Sequence, residues 1–199
     1  MPASVATSAT PSSKAAHPVV KVSFVVMALL LLAGLVALKV REYVRYLEFS
    51  TQAVMDPLPL DRMAPGFSLP PGPSGAPIQL EALRDQYVLV HFWATWCPPC
   101  REELRTLEYL ARGRKDTLRV LAITVDDDWS EVQRFFGNQS PTFALAWDRQ
   151  RETAEAYGTQ KFPETYLVDP QGKLVAKFMG ARDWNSKAAY RYLDEMIQR

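Results

Sequence analysis

Hydrophobic and polar positions follow three regimes along this chain. Residues 1–18 are rich in Ala, Ser, Thr and Pro without apolar periodicity, and read as a disordered tail. From Val22 to Leu38 the sequence VSFVVMALLLLAGLVAL runs 17 residues without a charge. With Val19, Val20 and Val40 at its flanks it approaches the ~20 residues that cross a bilayer, so residues 19–40 are expected to form a transmembrane anchor. The competing reading is a cleaved signal peptide, whose apolar region would be ~7–15 residues long and end at a small-x-small site. Here the run is longer, and Leu35-Val36-Ala37-Leu38-Lys39 makes a poor site. A buried core helix fits less well, because the run has no polar face. REYVRYLEFSTQAVM extends the helical pattern by several turns until Pro57 and Pro59 stop it; residues 41–61 are assigned as a linker.

From residue 62 to 199 the pattern alternates as in a folded domain. Asp61–Pro77 is Pro- and Gly-rich, although Phe67 and Leu69 alternate as in a short strand. Tyr87–Trp93 and Leu118–Val125 read as buried strands, with Thr142–Trp147 a third. Helices are expected at Pro98–Ala111, Ser130–Phe136, Glu152–Tyr157 and Asn185–Gln198. Glu164–Val168 and Lys173–Met179 flank Asp-Pro-Gln-Gly, which suits a tight hairpin turn. Two strands alternating with helices, then a hairpin and a last helix, describe an α/β fold: a central mixed sheet with helices on both faces.

Charge narrows the function classes. From residue 60 onward there are 18 Lys+Arg against 19 Asp+Glu, which offers no generic basic patch, so no nucleic-acid partner is expected. The chain holds two cysteines, both in one C-x-x-C, and two histidines, His17 and His91. A disulfide framework needs more cysteines, and structural zinc usually needs four ligands, so no metal is assigned. Asp126-Asp127-Asp128 lacks the spaced ligands of a calcium loop and reads as a solvated loop. Trp129, Trp147 and Trp184 read as packing residues.

The chemistry therefore rests on Cys97-Pro98-Pro99-Cys100. A nucleophilic thiol must be partly ionised, and a helix N-terminus favours the thiolate through its free amides and dipole. Cys97 sits directly after a buried strand and before a helix, where such a thiol belongs. Cys100, one turn on, can resolve a mixed disulfide. Pro98 suits the first helical position, where its missing N–H is not needed. Neither Pro98 nor Pro99 can donate an amide to the Cys97 sulfur, which leaves few donors beyond Cys100. Cys97 is therefore expected to keep a moderate pKa, and the dithiol to be a reductant rather than a strong oxidant. The redox group is the Cys97–Cys100 pair itself, with no cofactor expected.

Phe92-Trp93-Ala94-Thr95-Trp96-Cys97-Pro98-Pro99-Cys100-Arg101 resembles the active site of the thioredoxin superfamily, in particular the membrane-tethered branch of TlpA, ResA and the CcmG (DsbE) thioredoxins of cytochrome c maturation. Ala64-Pro65-Gly66-Phe67 resembles the branch's entry to the domain. Tyr157-Gly158 leads into Phe162-Pro163-Glu164-Thr165-Tyr166-Leu167-Val168-Asp169, which resembles its G-x-P-E-T segment. Cys97 and Pro163 lie 66 residues apart, matching the βα insert typical of the branch. The resemblance covers roughly 62–198.

The resemblance implies that Pro163 is the cis-proline facing the disulfide, with backbone beside it that pairs an extended substrate. It implies that Trp93 and Trp96 frame the site. Glu103 matches a glutamate that raises thiol pKa values and relays a proton to Cys100; Glu164 is a second candidate of that kind. A solvated helix residue is the competing reading of Glu103. His91 stands where thioredoxins carry Asp and this branch often Asn; it is read either as a satisfied core histidine or as a proton acceptor for Cys100 titrating near neutrality. Phe162 replaces a smaller residue and would narrow the approach to Cys97. Arg105 stands where related helices often have Pro, so the first domain helix is expected unkinked.

The function implied is an extracytoplasmic thiol–disulfide reductase on the bacterial inner membrane. A single-pass anchor would carry the domain on the periplasmic side, a membrane donor of the thioredoxin-reducing type would supply electrons, and partners such as apocytochrome c would be reduced. The flanking charges (Lys14 and Lys21 before the span; Lys39, Arg41 and Arg45 after it) do not favour that topology. It rests on redox logic, since the cytoplasm already keeps thiols reduced. A disulfide oxidant or isomerase of the same fold, and a non-catalytic binding module, are the alternatives.

Overall fold

The structure, a computed structural model, describes residues 18–198; apart from Pro18, the expected disordered tail lies outside the described residues. The chain divides between Glu48 and Phe49 into two compact units. Helix α1, Pro18–Met55, begins in the first and ends in the second. In the first unit, Phe24–Arg45 is long and apolar enough to cross a membrane. Its side chains are exposed throughout, as a helix surrounded by lipid requires. No proline or glycine interrupts α1 between Lys39 and Met55; Asp56, at φ 43°, and Pro57 end it.

The second unit holds a six-stranded sheet in the order β1-β8-β7-β4-β5-β6. Its strands are β1 (Leu58–Met63), β4 (Tyr87–Trp93), β5 (Leu118–Thr124), β6 (Ala144–Trp147), β7 (Glu164–Val168) and β8 (Lys173–Met179). A separate small ribbon joins β2 (Ser68–Leu69) to β3 (Ile78–Gln79). β5 runs parallel to both β4 and β6, whereas β7 is antiparallel to β4 and β8. The helices are α2 (Pro98–Arg114), α3 (Trp129–Phe136), α4 (Glu152–Tyr157) and α5 (Lys187–Ile197). The mixed sheet covered by helices is thus present, and α2 runs without interruption through Arg105.

One boundary is corrected. The folded domain does not start at residue 62, because Leu58–Met63 pairs with β8 as an edge strand. Its prolines hid it: Pro57 and Pro59 read as a stop, yet an edge strand tolerates residues that cannot donate to a ladder. Nearly every side chain of β1 is also exposed, so no alternation marks it. Met55 is buried as well, and its carbonyl accepts from Arg182 Nε at 2.9 Å. Residues 41–61 are therefore helix and strand rather than linker.

Alternation along β4 assigns the helices to faces. Phe92 meets Tyr157 of α4 edge-on at 5.3 Å, while Trp93 meets Phe135 and Phe136 of α3 at 5.5 and 5.9 Å. His91 shares the Trp93 face and lies opposite Thr165, itself opposite Phe178, which packs on Tyr192 of α5. The turn between β7 and β8 closes with Gly172 N donating to the Asp169 carbonyl at 2.9 Å, and Gly172 takes the φ of +85° that favours glycine.

Candidate active site

Where β4 ends, the chain turns into α2 through Ala94, Thr95 and Trp96. Asp126, at the end of β5, is buried and holds this turn. Its carboxylate accepts from Thr95 N at 3.0 and 3.2 Å, from Thr95 Oγ1 at 2.7 Å and from Thr124 Oγ1. The expectation of a solvated acidic loop is corrected at this residue. Asp127 is exposed, and Asp128 caps α3 by accepting from Ser130 N at 2.9 Å. Trp147 Nε1 donates to the Asp126 carbonyl at 2.7 Å, so Trp147 does more than pack.

Cys97 is the N-cap of α2, with Pro98 and Pro99 opening the helix. Its sulfur accepts from Cys100 N at 3.3 Å, the amide that the two prolines leave available. Cys97 and Cys100 form a disulfide with Cα atoms 5.3 Å apart. Cys97 keeps 4% exposure and Cys100 none, so only the first sulfur can be approached from solvent.

The Phe162–Pro163 peptide bond is cis, at the entry to β7. The Pro163 carbonyl accepts from Gly180 N at 2.9 Å. Trp96, 57% exposed, meets the half-buried Phe162 ring edge-to-face at 5.9 Å.

Glu103 lies one turn beyond Cys100 on the same face of α2 and is buried, not solvated. Its Oε1 accepts from Trp184 Nε1, and Oε2 has no hydrogen-bond partner. Burial pushes its pKa up to about 8, against the opposing pull of the Trp184 hydrogen bond and of Arg182. In this disulfide form the carboxyl therefore holds its proton at neutral pH.

His91 lies on the sheet face that the Trp93 side chain shares, fully buried, with Nδ1 2.9 Å from Thr165 Oγ1 and Nε2 without a partner. Burial depresses its pKa to about 3. A proton acceptor titrating near neutrality is therefore corrected: desolvation of the imidazolium keeps the ring neutral. The core reading holds in part, since only one of its two nitrogens is satisfied.

Glu164 is also placed differently from a free proton carrier. It shares the Phe92 face, opposite to His91, and its carboxylate accepts from Lys177 Nζ at 2.8 Å and Tyr166 Oη at 3.1 Å. The structure therefore places Cys97, Pro98, Pro99, Cys100 and Glu103 on the first turns of α2, sets Trp96 against Phe162 beside the cis Pro163, and leaves His91 in the core and Glu164 in an ion pair. Sequence reasoning missed Asp126 and Trp184. Both act across long separations, and nothing local marks either one. Among the described residues, no cluster of three or more His, Cys, Asp or Glu side chains could hold a metal.

A family model described as the AhpC/TSA family matches residues 60–177. The thiol-disulfide oxidoreductase ResA of Bacillus subtilis (strain 168) is 31% identical over 121 residues, which is 59% of this chain and 65% of that protein. The match thus spans just under two thirds of that relative. ResA of Geobacillus thermodenitrificans (strain NG80-2) is 32% identical over 150 residues, 75% of this chain and 81% of the relative. Among solved structures, one described as a thiol:disulfide interchange protein DsbE from Chlorobium tepidum shares 26% identity at a TM-score of 0.64, covering 70% of this chain and 99% of its own. A thiol-disulfide oxidoreductase from Bacteroides fragilis NCTC 9343 shares 27% identity at a TM-score of 0.54, over 68% and 99% respectively.

Proposed function

This chain belongs to the AhpC/TSA family and to that of the ResA thiol-disulfide oxidoreductases, and from that premise we propose that it is a membrane-tethered disulfide reductase working outside the cytoplasm on a small set of proteins. The observation that carries the reading is the asymmetry of the two sulfurs. Cys97 caps a helix and touches solvent, whereas Cys100 is sealed one turn beneath it.

In the reduced enzyme the Cys97 thiolate, favoured by the α2 N-terminus, attacks a client disulfide and releases one client thiolate. Cys100 then gives its proton to the Glu103 carboxylate, and its sulfur attacks Cys97 Sγ. The Cys97–client bond breaks, the second client thiolate leaves, and the client has gained the two electrons that the dithiol lost. A client segment laid along the Pro163 loop would add a strand there, and the Trp96–Phe162 pair restricts its entry to slender, extended segments.

A membrane donor of the thioredoxin-reducing type would recharge the disulfide, and apocytochrome c is the client that the ResA and DsbE resemblance suggests first. Placement of the domain outside follows from redox need: a dedicated reductase is required where no glutathione pool reduces thiols. Cys100→Ser tests the reading. The variant should accumulate a Cys97 mixed disulfide with its client in cells, and Cys97 in intact cells should react with a membrane-impermeant thiol reagent. A potential near −120 mV on equilibration with glutathione would instead support an oxidant. Full biological activity of Cys97→Ser/Cys100→Ser would support a binding module.

A further inference from the structure

Trp184 lies in the turn between β8 and α5 and is fully buried. Its ring packs edge-to-face on Phe178 at 5.0 Å. Two contacts tie it to the turn of α2 that carries Glu103. Trp184 N donates to Thr106 Oγ1 at 3.1 Å, and that hydroxyl donates to the Glu103 carbonyl at 2.8 Å. Trp184 Nε1 donates to Glu103 Oε1. The preceding Arg182 anchors the turn from the other side, through Nε to the Met55 carbonyl at 2.9 Å and Nη2 to Asp56 Oδ2 at 3.7 Å.

An indole N–H can only donate. When Glu103 is protonated, the oxygen that receives it is best used as the carbonyl acceptor, so the proton is favoured on the other one. That other oxygen, Oε2, completes no hydrogen bond of its own, while the Arg182 backbone acts on the carboxyl as a whole. We propose that Trp184 is a positioning residue of the disulfide exchange: it confines the Glu103 proton to Oε2 and so keeps the acid ready for Cys100, one helical turn away. The inference rests on the reading of Glu103 as the proton partner of Cys100.

The step it serves balances as follows. In recharging, a donor thiolate attacks Cys97 Sγ, the Cys97–Cys100 bond breaks, and its electron pair leaves on Cys100 Sγ. The Oε2 proton passes to that sulfur, giving the Cys100 thiol and the Glu103 carboxylate. A second donor thiolate then releases Cys97, and the donor has lost two electrons. When the enzyme reduces its client, Cys100 returns the proton to Oε2. One proton shuttles between the two groups, and Trp184 holds the same oxygen throughout.

Among the described residues, Arg182 is the charged group that acts on Glu103; Arg101, Glu102 and Arg105 flank it along α2. Cys97 and Cys100 share its helix, and Arg182 approaches from the β8–α5 turn. His91 on β4 is neutral, and Tyr192 of α5 packs on Phe178. Burial holds Glu103 at about 8, so it carries the proton in the disulfide form at neutral pH.

Trp184→Phe tests the proposal, because it keeps a ring against Phe178 and removes the N–H. The readout is single-turnover reduction of the disulfide by dithiothreitol, in the full chain in detergent micelles, between pH 6 and 9.5. Loss of a hydrogen bond to the carboxylate should raise the Glu103 inflection by about one pH unit. In a Glu103→Gln background the same substitution should leave the pH profile alone. If Glu103→Gln leaves the wild-type inflection in place, the Glu103 reading fails. If Glu103→Gln removes it but Trp184→Phe does not move it, or changes both backgrounds equally, the role of Trp184 is overturned and Glu103 stands. Should Trp184→Phe not fold, wild-type protein labelled with ¹⁵N at its indoles decides. The Trp184 Nε1–H resonance should titrate with the midpoint of the exchange, and a resonance that stays fixed refutes the proposal.

Discussion

Replacing Glu103 by Gln should change how stability depends on pH, by an amount that follows from its burial. The carboxyl is 2% exposed, and its pKa rises from the ordinary 4.5 to about 8 in the folded disulfide form. Between those values the unfolded chain has released the proton and the folded chain has kept it. The unfolded state binds fewer protons there, so wild-type stability falls as pH rises from 4.5 to 8. At about 1.4 kcal/mol per pH unit, the full loss is on the order of 5 kcal/mol. His91 works in the opposite sense. Its pKa falls from 6.5 to about 3, so it adds stability as pH rises through that interval. The two slopes cancel from 4.5 to 6.5, and Glu103 acts unopposed from 6.5 to 8, where about 2 kcal/mol should be lost. The assay is urea unfolding of the oxidised full chain in micelles, followed by tryptophan fluorescence from pH 4.5 to 8.5. Glu103→Gln should start less stable at pH 4.5, by about 1–2 kcal/mol, because it places an amide among groups that do not match it. It should then lose nothing between pH 6.5 and 8. Parallel curves for the two proteins over the whole range would refute the reasoning, because a carboxyl that titrates normally imposes no such slope.

Three further outcomes are expected. His91→Asn should remove a linkage worth on the order of 5 kcal/mol between pH 6.5 and 3, so that the net wild-type fall of about 2 kcal/mol from pH 4.5 to 3 disappears and the variant gains stability as pH falls from 6.5 to 4.5, where Glu103 is no longer opposed. Thiol exchange near neutrality should keep its original pH dependence, and stopped-flow exchange and acid unfolding read the two effects. Asp126→Ala should cost about 2–4 kcal/mol and lower the rate of exchange, because Thr95 N loses its acceptor just before Cys97; denaturant midpoints and dithiothreitol kinetics would show it, and an unchanged midpoint would count against the role given to Asp126. Lys177→Met should cost about 3–5 kcal/mol by leaving the buried Glu164 carboxylate unpaired, and Lys177→Met/Glu164→Gln should recover much of the loss. If the double variant is no better than the single, the ion pair is not the cause.

The elements that carry their own pattern were legible in the sequence. β4 and β7 are apolar runs bounded by turn residues, and their observed limits, Tyr87–Trp93 and Glu164–Val168, match the sequence reading. α2 starts where Pro98 allows it, and the apolar stretch of α1 is helical as its length and composition require. β1 was not legible. Its partner, β8, lies more than a hundred residues downstream, and an exposed edge strand with prolines imposes no alternation of its own.

Sequence by itself determined the fold class, the redox pair and the membrane-compatible helix. Each depends on residue type over a short stretch: a C-P-P-C between strand and helix, an apolar run, a hairpin turn. Tertiary structure alone decided the environments. Two ionisable groups of opposite kind, Glu103 and His91, are both neutral at pH 7 because burial penalises whichever form is charged. Glu164, a carboxylate like Glu103, was drawn instead to Lys177 on the other face of the sheet. Trp184 reached Glu103 across 81 residues. Desolvation and long-range hydrogen bonds depend on what the whole chain packs around a side chain, and local spacing carries no record of that.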